Sequence, residues 1–433
     1  MNTAVQTSSA RQVADVIIIG AGPAGIAALL PLLDAGRRVI WVDQSTRAGG
    51  QIWRAGLPKN WQRQLDDALR HPLLQTRFGC TVIAAEPRGQ GPGALHSLRL
   101  QTHAGTGSQA LRVAAPQLLL ALGGRERHLP FPGWTLPGVM GAGGLQALVK
   151  QGWPIAGQRV VLAGSGPLLL AAADTVRQAG AQVLLIAEQA SRGQLLRFAA
   201  GLNAGKAKQA VSLAWRLRGI PYRAGTWVQA ATGQDRLQSV QLNQGQSRKE
   251  LACDALGIGF GLLPNTELAQ LLGCQLRPDG AIAVDEGMGS SIPGIYAAGE
   301  CTGIGGVDKS LVEGALAAQS LLAQTTPTAT APARQRALRF ARHLAEHFAL
   351  RPELLRLADA QTLVCRCEDI RLGDLKAYSD WRDAKLQTRC GMGACQGRIC
   401  GPITETLLGW PAQQARGLRA PLQPGRLGAF AED

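Results

Sequence analysis

The sequence predicts an α/β protein made of two similar strand–turn–helix–strand units followed by a small helical C-terminal domain. Three observations support this architecture. A β-branched run leads into a glycine-rich turn near residue 20, the same pattern recurs near residue 164, and five of the nine cysteines lie between 365 and 400. With 433 residues, the chain is long enough for about two to four domains.

The first unit begins with VIIIG at 16–20, a β-branched run typical of a buried parallel strand. Gly20, Gly22 and Gly25 then form a GxGxxG turn. Gly20 permits the tight turn, Gly22 lets a pyrophosphate approach the backbone, and Gly25 lets the helix pack closely. Asp43 ends the next strand, where an acid binds a ribose hydroxyl. We therefore predict a Rossmann-like dinucleotide site, the alternative being a turn without ligand, with neighbouring contacts from Pro23, Ala24 and Gln44.

The second unit, residues 157–189, repeats the pattern: Gly164 and Gly166 begin the turn, a helix follows, and the next strand ends at Glu188. This internal repeat predicts a second Rossmann-like domain. Glu188 favours NAD over NADP, because a 2′-phosphate would meet its carboxylate. Leu169 replaces the third glycine, where a side chain would push the helix away or enter the phosphate site. Two interpretations remain: NAD or another nucleotide binds here, or the fold persists with a lost or altered site.

The C-terminal cysteines have the number and chemistry of metal ligands. Cys365 and Cys367 form a CxC pair, and Cys395 and Cys400 form a second pair with four residues between them. A [2Fe–2S] cluster takes four thiolates, two for each iron, whereas structural zinc sites usually use CxxC pairs. Zinc is therefore the alternative to iron–sulfur. Cys390 is a spare thiol between the two pairs.

No catalytic residue and no dithiol relay can be assigned from the sequence. Residues 141–260 contain only Cys253, and the first half of the chain contains only Cys80. We interpret these two thiols, together with Cys274 and Cys301, as small apolar side chains of the core.

Three further segments are STRAGGQIW at 45–53, PQLLLALGGRERHLPFPG at 116–133 and SIPGIYAAGECTGIGG at 291–306. With the first glycine turn, they resemble the two-dinucleotide flavoprotein superfamily that includes thioredoxin reductase, over about residues 10–325. The resemblance implies bound FAD. The last segment resembles the motif whose acid binds the ribityl chain, with Gly-Glu where the family has Gly-Asp. The implied additional FAD contacts are Gly50, Gln51, Val82, Gly123, Gly299 and Glu300.

The phrases CRCED and TRCGMGACQGRIC, with WTLPGVMGAGGLQALVK at 134–150, carry a second resemblance. They resemble the FAD- and [2Fe–2S]-containing subunit of heteromeric amino-acid and amine dehydrogenases, a family that includes the A subunit of opine oxidase, D-hydroxyproline dehydrogenase and hydrogen cyanide synthase. The C-terminal domain resembles bacterioferritin-associated ferredoxin. The resemblance implies a [2Fe–2S] cluster on Cys365, Cys367, Cys395 and Cys400.

The second resemblance also implies partners. A glycine-oxidase-like flavoprotein subunit would oxidise a C–N bond in a substrate of the opine, D-hydroxyproline, proline or glycine class. Further expectations are an FMN at the interface between subunits and a small third subunit. This chain would relay electrons through FAD and the cluster. The alternatives are a self-sufficient NADH-dependent flavin/iron–sulfur reductase, or an iron–sulfur sensor or scaffold that is not an enzyme.

The formal net charge of +15 does not indicate nucleic-acid binding, because Lys and Arg are scattered and aromatic residues make up only 4%. We interpret the charge as serving an acidic partner or cofactor phosphates. The N-terminal sequence has no apolar signal segment, and no apolar run is long enough to cross a membrane. We expect a cytoplasmic protein, with peripheral membrane association through its acceptor as the alternative.

These observations predict five regions. The FAD-binding domain comprises residues 1–135 and 256–325, and the second dinucleotide-binding domain is inserted at 136–255. A linker and helix occupy 326–355, and the [2Fe–2S] domain and tail occupy 356–433.

Overall fold

The computed structural model describes residues 12–54, 56–89, 91, 93–102, 110–245, 247–323, 330–410 and 417–430. The chain divides into two compact units, each assembled from separate segments. The first unit contains the described residues up to 125, those of 263–339 and those from 418 onward. The second unit contains 126–262 and the described residues of 340–417.

The first segment of the chain supplies most strands of the first unit. Its elements are β1 (Gln12–Val13), β2 (Val16–Ile19), α1 (Pro23–Asp34), β3 (Val39–Asp43), α2 (Lys59–Ala68), β4 (Leu74–Phe78), β5 (Cys80–Glu86), β6 (His96–Thr102), β7 (Ala110–Ala115), β8 (Gln117–Leu120) and β9 (Gly124–Glu126).

The next segment supplies the two sheets of the second unit. Its elements are β10 (Val139–Gly141), α3 (Ala142–Lys150), β11 (Arg159–Gly164), α4 (Pro167–Gln178), β12 (Gln182–Glu188), α5 (Arg192–Ala200), α6 (Ala204–Arg216), β13 (Tyr222–Ala224), β14 (Thr226–Thr232), β15 (Ser239–Gln244), β16 (Ser247–Ala252), β17 (Ala255–Gly259) and β18 (Leu262–Pro264).

The remaining segments complete both units. Their elements are α7 (Glu267–Leu271), β19 (Ile295–Ala297), α8 (Val307–Leu321), α9 (Thr330–His347), β20 (Leu363–Cys365), β21 (Ile370–Arg371), α10 (Leu372–Leu375), α11 (Trp381–Thr388) and α12 (Cys400–Leu408).

The first unit is organised around a five-stranded parallel sheet with strand order β19-β8-β2-β3-β4. Its central strand β2 is fully buried, as expected for a β-branched run in a parallel sheet. Helices α1 and α8 lie close together because Gly314 of α8 has no side chain to collide with the Ala24 carbonyl. A second sheet, β1-β7-β6-β5, belongs to the same unit.

The second unit repeats the design. Its parallel sheet has the order β10-β17-β11-β12-β13, and β14, β15 and β16 form an antiparallel sheet. Buried residues of the C-terminal segment, including Leu354, Val364, Trp381 and Trp410, share one hydrophobic core with these strands. The indole N–H of Trp134 donates to the Leu363 carbonyl at 2.8 Å. Residues 340–410 are therefore an integral part of this unit.

The predicted α/β fold with two dinucleotide-binding-like units is confirmed. The predicted linker-and-helix region, 326–355, contains α9, which begins at Thr330 and ends at His347. Part of the predicted linker, 326–329, lies outside the described residues. None of the helices that the structure describes is both long enough and apolar enough to cross a membrane.

Candidate functional site

The first glycine turn joins β2 to α1 and has little room for larger side chains. Gly20 has φ +113°, and a Cβ there would collide with the Ala121 carbonyl. A Cβ on Gly25 would meet the Gly20 carbonyl. Gly22, by contrast, faces open space apart from the Gly50 Cα, which a Cβ would approach to 3.9 Å. The turn therefore leaves its middle glycine accessible to a ligand.

Asp43 and the Gly49–Gly50 loop lie at the same edge of the sheet. The Asp43 carboxylate accepts the backbone N–H groups of Ala21 at 2.6 Å and Ser45 at 2.7 Å. The Gly49 N–H donates to the Ala21 carbonyl at 2.7 Å, so the loop crosses the glycine turn. The structure thus brings together the predicted residues of the first turn, Asp43 and Gly50, with Gln51 and Gln44 next to them in the chain.

Glu300 follows Gly299 in the turn after β19, and the pKa of its carboxyl is raised because burial disfavours the charge. One oxygen, Oε1, accepts the N–H groups of Gly305 at 3.2 Å and Gly306 at 2.6 Å. The other, Oε2, is buried without a hydrogen-bond partner among the described residues. A buried acceptor of this kind normally has a donor. The free oxygen suits a ribityl hydroxyl, so this residue fits FAD.

A buried ion pair that sequence reasoning missed fixes this turn. Lys309 and Glu313, one helical turn apart in α8, are 2% and 1% exposed and lie 2.6 Å apart. Glu313 Oε2 also accepts the Gly299 N–H at 3.0 Å and the Thr302 hydroxyl at 2.7 Å. Lys309 Nζ donates to the Gly299 carbonyl at 2.8 Å. The sequence signal was a Lys–Glu pair at i, i+4 within a helix that also carries Ala and Leu.

In the second unit, the structure brings Gly164, Gly166 and Glu188 together. Glu188 accepts the N–H groups of Gly166 at 2.7 Å and Ala190 at 2.9 Å. Its carboxylate is buried, which raises its pKa to about 7. Leu169 does not enter the phosphate site: it is fully buried in the core, where Gly259 leaves space for it.

The segment after α9 lies directly on this second turn. The Ser165 hydroxyl donates to the Phe348 carbonyl at 3.0 Å, and the Gln189 amide donates to the Ala349 carbonyl at 2.9 Å. The Arg351 N–H donates back to the Gln189 side chain at 3.0 Å. The Phe348 ring would be only 3.7 Å from a Cβ on Gly166. We call residues 348–351 the covering segment.

The five C-terminal cysteines form one group, which we call the thiol cluster: Cys365, Cys367, Cys390, Cys395 and Cys400. The Sγ atoms of Cys365, Cys390 and Cys400 lie within 4.8 Å of one another. Cys367 contacts Cys395, and Cys395 contacts Cys400. Each cysteine of the CxC pair therefore contacts one cysteine of the second pair: Cys365 contacts Cys400, and Cys367 contacts Cys395.

Hydrogen bonds within the thiol cluster favour the thiolate form at Cys365 and Cys395, and they raise the pKa values of Cys390 and Cys400. Contacts from the Cys390 and Cys400 thiols lower the pKa of Cys365 to about 2, with help from the Gly391 N–H. The Cys400 thiol lowers the pKa of Cys395 to about 5, with help from the Ile399 and Gly397 N–H groups. Thiolate is the form that binds metals. Two pairs of thiols, each able to hold one iron, fit the donor set of a [2Fe–2S] cluster.

The four remaining cysteines, Cys80, Cys253, Cys274 and Cys301, are buried. Cys301 illustrates their environment: its thiol donates to the carbonyl groups of Leu120 at 3.2 Å and Ala298 at 3.3 Å. Burial raises its pKa to about 11, so it remains a neutral thiol.

Comparison with known proteins places these features in context. Residues 14–333 match the family described as pyridine nucleotide-disulphide oxidoreductase. The chain is 32% identical to the A subunit of opine oxidase from Rhizobium meliloti (strain 1021), over 96% of this chain and 98% of that protein. It is 31% identical to the HcnB subunit of hydrogen cyanide synthase from Pseudomonas protegens, over 89% of each chain.

Two solved structures share the fold. L-proline dehydrogenase from P. horikoshii superposes with a TM-score of 0.70 at 18% identity, covering 98% of this chain and 80% of that one. Thioredoxin reductase from T. acidophilum superposes with a TM-score of 0.55 at 22% identity, covering 72% of this chain and 99% of that one.

Proposed function

Because this chain belongs to the pyridine nucleotide-disulphide oxidoreductase family, we propose that it is the electron-transfer subunit of a heteromeric flavin-dependent dehydrogenase. Its substrate would be an amino acid or secondary amine of the opine, D-hydroxyproline, proline or glycine class. The observation that carries this proposal is the thiol cluster, which would add a one-electron carrier site to a flavoprotein oxidoreductase fold. Relatives that match along most of both chains are named as subunits of an opine oxidase and of hydrogen cyanide synthase.

FAD would bind in the first unit. Gly20, Gly22 and Gly25 would hold the pyrophosphate against the start of α1, and Asp43 would contact a ribose hydroxyl. Glu300 would accept a hydrogen bond from the ribityl chain through Oε2. Lys309 and Glu313 would hold the Gly299–Glu300 turn in position for that contact.

The cluster would bind in the second unit on Cys365, Cys367, Cys395 and Cys400. FAD supplies two-electron and one-electron exchange, and a [2Fe–2S] cluster supplies one-electron transfer. The backbone N–H groups directed at the sulfurs would stabilise added negative charge and so raise the reduction potential.

Substrate oxidation would take place on a glycine-oxidase-like flavoprotein partner, with an interface FMN and a small third subunit as further components. The strong positive charge of this chain would favour association with an acidic partner or acceptor. The complex would be cytoplasmic.

The rival function is a self-sufficient NADH-dependent reductase. It requires a nicotinamide nucleotide at the second turn, but the Gly166 N–H already donates to Glu188 and the Phe348 ring lies on Gly166. These contacts support the relay function instead.

An anaerobic visible spectrum of the purified chain, before and after NADH, tests the proposal. We expect flavin and iron–sulfur bands that bleach with dithionite and do not respond to NADH. Prompt bleaching by NADH would establish the reductase function. A chain that carries zinc and no iron would rule out the relay.

A further inference from the structure

Cys390 is buried in the thiol cluster although it belongs to neither of the two sequence pairs. Its Sγ lies within 4.8 Å of those of Cys365 and Cys400, and all three residues are at most 1% exposed. Cys301, which is equally buried, instead directs its thiol at two backbone carbonyl groups. Burial alone therefore does not account for the position of Cys390 among other thiols.

The backbone on both sides of Cys390 is held in place. Arg389, the residue after α11, has the left-handed conformation with φ +66°. Gly391 follows with φ +83°, and a Cβ on it would lie 2.5 Å from the Trp381 ring. The Cys390 N–H donates to the Thr388 hydroxyl at 3.2 Å. These contacts fix the direction in which the thiol points.

We propose that Cys390 is a reserve ligand for the iron that Cys365 and Cys400 would hold, able to replace either of them. This inference rests on the proposed [2Fe–2S] site. Among the residues that the structure describes, Cys390 is grouped with Cys365 and Cys400 and not with Cys367, so the reserve would serve only one of the two irons. The thiol cluster thus contains one more ligand than the cluster needs.

The test is the content of iron and acid-labile sulfide in the intact chain after anaerobic purification, together with the electron paramagnetic resonance spectrum after dithionite reduction. Cys400→Ala and Cys365→Ala remove one ligand each, and Cys390→Ala removes the reserve. The double variant Cys390→Ala/Cys400→Ala removes both choices. Cys274→Ala, a buried thiol in the first unit, is the matched control.

We expect Cys274→Ala to retain the iron, sulfide and spectrum of the wild type. Cys390→Ala should retain the iron and sulfide, because all four proposed ligands remain, with a shifted spectrum because Cys365 loses its contact with the Cys390 thiol. Cys400→Ala and Cys365→Ala should retain most of the iron with shifted g values, because Cys390 takes the vacant position. The double variant, and Cys367→Ala, should lose the cluster. Because the proposed flavin site lies in the first unit, far-UV circular dichroism and chemical denaturation are used to report whether each variant has folded.

Loss of iron from folded Cys400→Ala and Cys365→Ala to the level of the double variant would overturn the reserve role while leaving the proposed function intact. A wild-type chain without iron would overturn both.

Discussion

At the scale of single residues, Glu300 is the point where the flavin site can be tested most directly. Replacing it with Ala removes the buried acceptor Oε2, and a lost hydrogen bond to a charged group costs about 1.5–3 kcal/mol. We therefore expect FAD to bind roughly 10-fold to 150-fold more weakly, measured by fluorescence titration of the chain stripped of flavin.

The exposed Glu286→Ala is the control and should bind FAD like the wild type. An unchanged dissociation constant in Glu300→Ala would show that this carboxylate does not contact the cofactor.

The ion pair of Lys309 and Glu313 makes a prediction about stability. Lys309→Met removes the positive charge that balances the buried Glu313 carboxylate. Loss of one partner of a buried ion pair typically costs about 3 kcal/mol of unfolding free energy. Chemical denaturation should show this loss, and Glu313→Gln in the same chain should recover part of it. Arg70→Met, which breaks an exposed pair with Asp67, should change stability by less than about 1 kcal/mol. Equal effects of the two substitutions would contradict the role of burial.

Glu188 makes a prediction about pH. Its pKa rises from 4.5 to about 7 on folding because burial disfavours the carboxylate. The folded state therefore binds the proton more tightly, so the Glu188 contribution is destabilising, absent below about pH 4.5 and complete above about pH 7. The unfolding free energies of wild type and Glu188→Gln, measured by chemical denaturation, should diverge across this window by at most about 3 kcal/mol. Parallel pH profiles would show that the carboxyl is not buried as described.

At the scale of elements, the covering segment determines what the second turn can bind. We expect the wild type to show no quenching of NADH fluorescence at concentrations that saturate NADH-dependent flavoenzymes. Phe348→Ala uncovers Gly166 and should bind NADH detectably, whereas Leu355→Ala, at a partly exposed position further along, should not. Tight NADH binding by the wild type would show that the segment moves aside.

The elements also show which features were predictable from sequence. Both glycine turns and both acidic strand ends were, because strand, turn, helix and the next strand follow one another directly in the chain. The covering segment was not, because Ser165 and Phe348 are 183 residues apart and nothing in the Phe348 neighbourhood specifies a partner. The place of Cys390 also depends on the packing of Gly391 against Trp381, which no local pattern reveals.

At the scale of the whole molecule, the two proposed cofactor sites lie in units with separate hydrophobic cores. Cys367→Ala/Cys395→Ala should therefore abolish iron binding without changing the FAD content per chain. Combined iron and flavin analysis of the purified variant measures both. A parallel loss of flavin would show that the first unit depends on the cluster.

Each unit is built from segments that are separated in the sequence, and their order has a consequence for biosynthesis. Strand β19, at the edge of the first parallel sheet, is translated only after residues 126–262. The first unit also contains residues near the C-terminus, where the Leu422 N–H donates to the Ile83 carbonyl. A nascent chain emerging from the ribosome thus holds an incomplete first sheet while the second unit's strands are translated. Because Glu300 is translated after 126–262, the proposed FAD site would be complete only late in synthesis, and a premature stop anywhere before Cys400 leaves both units unfinished.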